Sequence, residues 1–503
     1  MTESSIDRLL HRSNTIEDLS SVSALLGWDQ ETYMPDGAAA NRSEHFATVS
    51  SLVHELYTSE ETGTLVERAR EEVGDDAGED WRSAFLREFA RTRDLATKLP
   101  GEFVREMSKA TSIGQHSWRR ARHEADFTLF AKELEHIVDL KRRHAEFLGY
   151  DENPYDALLD LYEPGITAAM LRPVFARLKE GTLRLLEMIN SSTQPPDDSL
   201  FYSGFDRDRQ LDFSRDIIQR IGFDFDRGRV DLSAHPFCTS FTQTDVRLTT
   251  RVYEDDLRSC LFGLIHEAGH GMYEQGIDPR FARTALASGT SMGIHESQSL
   301  FWENVIGRSR EFWQWAYPRL QTTFPEKLAG VDPEEFYRMV NVMRPSLIRV
   351  EADELTYNLH IILRFEIEDD LLNRRLEVAE IPDVWNRRMV EYLGVEPEND
   401  AVGCLQDVHW SFGGHGYFPS YTLGKLYAAM FNNTMRAEIP DRDAQISVGE
   451  FEPTLAWLRE NVHRWGKAKT PTELLRDVCG SELSEQPFLD YIEQKIVDVY
   501  GVG

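Results

Sequence analysis

Apolar residues recur three and four positions apart, with charges between them, along most of this chain. The stretches from Trp81 to Leu99 and from Phe127 to Phe147 show it most plainly, and each predicts an amphipathic helix with one buried stripe. The polar run from Ser191 to Ser199 holds Pro195 and Pro196 side by side and predicts a loop, because two prolines cannot continue a helix. We expect this loop to lie on the surface of one large helical unit. Strand patterning is confined to Arg229 to Phe237 and Asp245 to Tyr253. In the second, Val246, Leu248, Thr250 and Val252 alternate with Arg247, Thr249 and Arg251. The expectation is a mainly α fold, a large helical bundle with a small antiparallel β-hairpin or sheet. No internal repeat interrupts it, so we expect a single domain over 1–503, with helical walls in about 1–190 and a core in about 200–430.

Immediately after the second strand, an apolar-periodic segment runs from Leu257 to about Met272, with Asp255 or Asp256 placed to cap its start. Leu257, Leu261, Leu264, Ala268 and Met272 share one face of that helix. The opposite face carries His266-Glu267-Ala268-Gly269-His270, an HExxH motif, beside the small Ser259 and Gly263. Two imidazoles one helical turn apart can reach one zinc ion, and the intervening Glu267 can hold a water for attack. The plainer alternative is a surface helix with two solvated histidines, but the motif is rare by chance and its helix is apolar on the other side.

Zinc that keeps one position open for water needs a third protein ligand. Downstream, Gly293-Ile294-His295-Glu296-Ser297-Gln298-Ser299 opens another helical segment, with Ile294, Leu300, Phe301 and Val305 as its apolar set. Both Glu296 and His295 could serve. Glu296 is preferred, because it can face the metal while His295 acts as a partner behind the ligands.

Composition narrows the function classes. With 86 acidic against 55 basic side chains the net charge is −31, which argues against nucleic acid and anionic membrane as partners. The basic residues are 10 Lys and 45 Arg, a bias that either a high-salt cytoplasm or a genome rich in G and C would produce. Cys238, Cys260, Cys404 and Cys479 lie far apart and predict free thiols of a reducing compartment. Neither a secretory signal nor a run of ~20 apolar residues is apparent, so a cytoplasmic protein is expected.

Further short motifs follow in order along the chain. They are His235-Pro236-Phe237, Asp245-Val246-Arg247-Leu248-Thr249, the HExxH, and His295-Glu296-Ser297-Gln298. Then come Ile348-Arg349-Val350-Glu351-Ala352-Asp353 and Gly403-Cys404-Leu405-Gln406-Asp407-Val408-His409-Trp410. An early Trp28-Asp29-Gln30-Glu31-Thr32 and a late Gly416-Tyr417-Phe418-Pro419-Ser420-Tyr421 complete the series. With these motifs the chain resembles the carboxypeptidase Taq family of metallocarboxypeptidases. The resemblance implies a fold similar to neurolysin and angiotensin-converting enzyme, a helical body with a deep central active-site groove, and a homodimer. It further implies one Zn²⁺ or Co²⁺ ion per chain and removal of single residues from peptides with a free C-terminal carboxylate.

The remaining site residues are read both ways. Pro345 suits a helix start, with Ile348, Ala352, Leu355, Leu359 and Ile362 as its apolar face. On that helix Arg349 and Asp353 form either an exposed i,i+4 ion pair or a clamp, in which Asp353 orients Arg349 toward a substrate carboxylate. The resemblance favours the clamp, and it also makes Arg247 a substrate-binding residue where the strand pattern alone suggests a solvated one. His235 stands open between structural and substrate roles. Gln406, His409, Tyr417 and Tyr421 lie in a glycine-rich stretch suited to a mobile wall. There His409 and Tyr421 are the preferred donors to an oxyanion, Gln406 and Tyr417 are expected to face substrate, and for Tyr417 simple aromatic packing is the alternative. Trp28 and Trp410 are expected in the core. Glu267 is expected to act as general base. Two rivals are an endo-acting oligopeptidase of the same zinc class and a non-catalytic helical binding protein with a structural ion.

Overall fold

The helical period predicted from the sequence is realised with small shifts at the ends. The computed structural model describes residues 4–74 and 80–502. The first predicted stripe forms the helix Trp81–Lys98, ended ahead of Pro100, and the second forms Thr128–Leu148. Phe130, Leu134, Ile137, Val138 and Ala145 are the buried face of the latter. Gly149, at φ 87°, then ends it in a conformation that costs glycine nothing. The Ser191–Ser199 stretch separates the helix Ala168–Asn190 from a 3₁₀ turn at Ser199–Tyr202.

The chain forms two compact units that interleave along the sequence. The first comprises the chain up to Thr97, then Asp198–Val340 and Phe431–Gly480; the second comprises Lys98–Asp197, Asn341–Met430 and Ser481–Gly503. In the second, the helices Ala168–Asn190 and Tyr357–Leu372 pack through Phe175 and Phe365, whose rings are 5.0 Å apart. Among the described residues no helix is long and apolar enough to cross a membrane.

The first unit holds a three-stranded sheet of β1 (Gly228–Leu232), β2 (Cys238–Thr242) and β3 (Asp245–Thr250), in the order β1-β3-β2. This corrects the expected hairpin in one respect. β1 pairs with β3 in parallel, Gly228 opposite Val246, and the antiparallel partner of β3 is β2. The expected first strand, 229–237, stops early. Beyond Leu232 the chain turns, Pro236 has no N–H for a ladder, and Ser233 and the Phe237 amide bond the Thr249 hydroxyl at 2.7 and 2.9 Å. Val246 and Leu248, predicted to face the core, are fully buried. Ahead of the sheet, α1 (Ser5–Thr32) lies on β2, where the Ser21 hydroxyl donates to the Phe241 carbonyl at 2.6 Å.

The HExxH helix is Leu257–Gly276, and Asp256 caps it by accepting from the Arg258 amide at 3.0 Å. Its predicted apolar face, Leu257, Leu261, Leu264, Ala268 and Met272, is at most 1% exposed. The second predicted helix is Met292–Leu300, capped by Ser291, and it continues as a π-helical segment over Phe301–Ile306.

The helix expected from Pro345 is a second correction. Arg349–Glu351 is only a 3₁₀ turn, and the α-helix starts at Tyr357. Asp353 explains the delay: its carboxylate accepts the backbone amides of Leu355 and Thr356 at 2.9 Å each and the Thr356 hydroxyl at 2.7 Å. A carboxylate used this way organises a turn before a helix.

Candidate functional site

Gly269, inside the HExxH motif, sets the distance between the two helices that carry the metal-type ligands. A Cβ at this position would stand 2.6 Å from both the Gln298 carbonyl oxygen and the Ser299 Cα. Only glycine lets the helix Met292–Leu300 approach so closely, and that approach brings Glu296 to the histidines. Its Oε2 lies 3.5 Å from His270 Nε2 and 3.7 Å from His266 Nε2. Zinc with bonds near 2.1 Å in tetrahedral geometry places its ligand atoms about 3.4 Å apart. The three residues thus fit a metal ion, and they form the one such group among the described residues.

Each imidazole is held from behind. His266 Nδ1 is 2.9 Å from Glu303 Oε2, and the other Glu303 oxygen accepts from Arg308 at 3.1 Å. His270 Nδ1 is 2.6 Å from His295 Nδ1, whose Nε2 is 2.8 Å from Glu274. His295 therefore stands behind His270, outside the ligand group. Such partners fix the tautomer and aim of a metal-binding imidazole. Burial lowers the His266 pKa, but Glu296 and Glu303 outweigh it and carry the group to about 10, so proton and metal compete for it. Glu267 is buried among these groups, and burial pushes its carboxyl up to about 7. A carboxyl so placed can take up and release a proton near neutral pH.

In the same unit Arg247 is already occupied. It pairs with Asp245 at 3.0 and 3.1 Å and lies between the rings of Trp28, at 4.3 Å, and Phe241, at 4.7 Å. Trp28 is buried, as expected. His235 is exposed; its carbonyl accepts from the Ser233 hydroxyl at 2.6 Å.

The second unit gathers Arg349, His409, Tyr417 and Tyr421 into one aromatic and cationic cluster. The Arg349 guanidinium lies 5.0 Å from the Tyr421 ring, and His409 is 5.4 Å from the Tyr417 ring. His409 Nε2 is 3.3 Å from the Tyr421 hydroxyl. Burial holds the His409 imidazole neutral, with a pKa near 4. The expected pairing of Arg349 with Asp353 is not found, since Asp353 is turned to backbone as described above. Asp407 orients Arg349 instead, accepting from Nε at 3.0 Å and from a terminal nitrogen at 2.7 Å through one oxygen. Its other oxygen accepts from Arg364 at 2.8 and 2.5 Å. Burial alone would raise the Asp407 carboxyl, but the two guanidinium groups hold it far below the usual carboxylate range. Tyr357 accepts a further Arg349 N–H at 2.5 Å.

Gln406 also departs from expectation. Its amide is used on backbone, accepting from the Arg349 N–H at 2.9 Å and donating to Leu347, Val402 and Gly403 at 3.1 Å each. It is a staple between two loops, and only the second lone pair of its Oε1 is left for a substrate N–H. The sequence reading had no role for Glu303, Glu274, Arg308, Asp407, Tyr357 or Arg364. Only Glu303 left a signal, seven residues after Glu296 and so on the same side of a helix.

A mainly helical chain that sets an HExxH helix against a second helix bearing a carboxylate beside the two histidines has the features of a metallopeptidase. The model of the carboxypeptidase Taq (M32) metallopeptidases matches residues 8–496, and the chain belongs to that family. It is 41% identical over 486 residues to Carboxypeptidase 1 of Bacillus subtilis (strain 168), covering 96% of each chain. It is 38% identical over 492 residues to Thermostable carboxypeptidase 1 of Pyrococcus furiosus, covering 97% of this chain and 98% of that one. Among solved structures, the M32 carboxypeptidase from Deinococcus radiodurans R1 superposes with a TM-score of 0.96 at 38% identity, over 99% of this chain and 100% of that one. The protein is a metal-dependent carboxypeptidase.

Proposed function

We propose that the protein releases single amino acids, with broad specificity, from peptides that carry a free C-terminal carboxylate. His266, His270 and Glu296 hold one zinc or cobalt ion per chain, and the observation that carries this reading is the close approach of their three ligand atoms. Bound there, the metal supplies Lewis-acid activation of water and of the scissile carbonyl. Glu267 takes the proton of the attacking water and delivers it to the leaving amine, a role its raised pKa supports. Neutral His409 and the Tyr421 hydroxyl are the donors we assign to the developing oxyanion.

Arg349 is assigned to the terminal carboxylate. Of the five guanidinium N–H groups, three are bonded by Asp407 and Tyr357, which leaves two for a bidentate grip. Arg247, already paired with Asp245, and exposed His235 are assigned supporting contacts to substrate on the family resemblance, and Tyr417 is assigned a substrate-facing place within the cluster of the second unit. Cytoplasmic residence and a homodimer belong to the same reading; the four unpaired cysteines support the first, and sedimentation checks the second.

A mass-spectrometric time course on one peptide, as free acid and as C-terminal amide, tests the whole. Stepwise loss of single residues from the acid alone, stopped by chelator and restored by zinc or cobalt, is the expected outcome. Internal cleavage of both peptides would instead make the enzyme an oligopeptidase and remove Arg349 from its role.

A further inference from the structure

We propose that a cavity between α1 and β2 is a subsite for the cationic side chain of a lysine or arginine in the peptide substrate. The inference rests on the peptidase reading above and adds a substrate preference to it.

The cavity measures ≈ 350 Å³ and lies wholly within the first unit, with Glu274 and His295 in one wall. Small-ligand sites start at about 300 Å³, so a long side chain is of the right order. Since His295 also touches His270, the cavity stands one imidazole away from the metal ligands.

Its charge is what selects the occupant. Glu17 and Glu274 both line it. Glu274 is engaged by His295 at 2.8 Å, whereas the Glu17 carboxylate has no hydrogen bond among the described residues. Arg283 is the one cationic lining residue, and it is paired with Asp18 at 2.8 and 2.5 Å. Lys467, whose charge reaches Glu17, is paired with Glu88 at 3.4 Å. Burial accordingly pushes the Glu17 carboxyl up to about 7, the mark of a carboxylate short of a counter-charge.

The rest of the wall combines hydroxyl and amide groups, from Ser20, Thr239, Ser240 and Gln243, with the apolar Phe241 and Ala287. Gln243 is 8% exposed, and its Nε2 has no partner among the described residues, which leaves a buried donor for a substrate carbonyl. An apolar side chain would match only the apolar part of these walls and would strip water from Glu17, Gln243 and the hydroxyls without replacing its hydrogen bonds. A lysine or arginine lays its stem along the cavity and delivers its charge to Glu17. A metal ion is the wrong occupant, because among the described residues only the His266 group brings three ligand atoms close enough.

The test uses peptides with free C-termini that carry lysine or norleucine at each of the last four positions in turn. Dissociation constants are measured by calorimetry on metal-loaded protein in the Glu267→Gln background, where peptides persist. At one position the lysine peptide should bind about 10-fold more tightly than its norleucine twin, roughly 1.4 kcal/mol. Adding Glu17→Gln should bring that ratio to about 2 or less, and Ser20→Lys, which places an amine in the cavity, should do the same. Equal affinities at every position, no binding, or a lysine preference that survives both variants would overturn the subsite. Release of C-terminal residues by the unsubstituted protein is followed on the same peptides. Its absence would defeat the peptidase reading alone, and the affinity ratio would still decide the subsite.

Discussion

Glu303 Oε2 stands 2.9 Å from Nδ1 of His266, while Arg308 holds the opposite oxygen of the same carboxylate at 3.1 Å. The carboxylate thus keeps a proton on Nδ1 and leaves Nε2, which faces Glu296, available to the proposed metal ion. Removing such a partner loosens the imidazole without removing the ligand. Glu303→Ala should weaken metal binding about 10- to 100-fold, and Glu303→Gln, which keeps an acceptor, by less. Competition against a chromophoric chelator reads this directly, and equal affinity in all three proteins would remove Glu303 from the site.

In the proposed site Glu267 is adjacent in sequence to the ligand His266 but is not itself a ligand, so its loss should separate chemistry from metal binding. Glu267→Gln keeps the shape and cannot accept a proton. Metal content should stay at one ion per chain while kcat falls about 10²–10⁴-fold. Metal analysis and peptide turnover on the same preparation test both halves; near-normal kcat would defeat the general-base assignment.

Arg349 has its fork fixed on one side by Asp407, so the geometry of the remaining N–H groups matters as much as the charge. Arg349→Lys keeps the charge and loses the bidentate edge. We expect kcat/KM on a free-acid peptide to fall about 10- to 100-fold, with little change on the amide. An unchanged preference for the acid would place the carboxylate grip elsewhere.

Asp407 joins Arg349 to Arg364, whose side chain is fully buried. Asp407→Asn leaves two guanidinium groups facing a neutral amide. Breaking a buried pair in this way costs about 3–5 kcal/mol, because the uncompensated charges stay behind. Urea unfolding should show the loss as a lower midpoint at unchanged slope, and a shift under about 1 kcal/mol would mean that water reaches the cluster.

How far the sequence could be read follows from how local each feature is. The HExxH helix, its Asp256 cap and its apolar face are all set within twenty residues, and all three appear in the structure. The sheet was half legible. Alternation marks β3 as a strand, but it does not name its neighbours, and the true antiparallel partner lies in Cys238–Thr242 beyond Pro236. The apolar spacing around Ile348 and Leu355 mimics a helical face across a turn made by Asp353. Side-chain capture of backbone amides by one aspartate leaves no trace in periodicity. The pairing of Asp407 with Arg349, 58 residues apart, comes from tertiary packing and leaves no mark in spacing, whereas that of Glu303 with His266, 37 apart, shows only in the helical period that puts Glu303 on the side of Glu296.

The same kind of long-range partnership gives the second unit a pH dependence with a definite sign. Glu368 is fully buried, and its carboxylate accepts from Trp410 Nε1 at 2.8 Å, the Tyr155 hydroxyl at 2.6 Å and the Gly416 amide at 2.9 Å. Those bonds tie down the segment that carries His409 and Tyr417. Burial nevertheless dominates and raises the carboxyl from 4.5 to about 7, against the hydrogen bonds and the charge of Lys141. Between pH 5 and 7 the folded chain therefore keeps a proton that the unfolded chain has released. With more protons on the folded state, stability must fall as pH rises through that window, and above it the full cost persists. A shift of this size corresponds to roughly 3 kcal/mol. Glu368→Gln stays neutral throughout and loses part of the hydrogen bonding equally at every pH. Relative to the unsubstituted protein, the variant should thus gain about 2–3 kcal/mol between pH 5 and pH 7. Urea unfolding of both proteins at pH 5, 6 and 7 measures it, and a difference that does not change with pH would mean that Glu368 is ionised in the fold across the whole range.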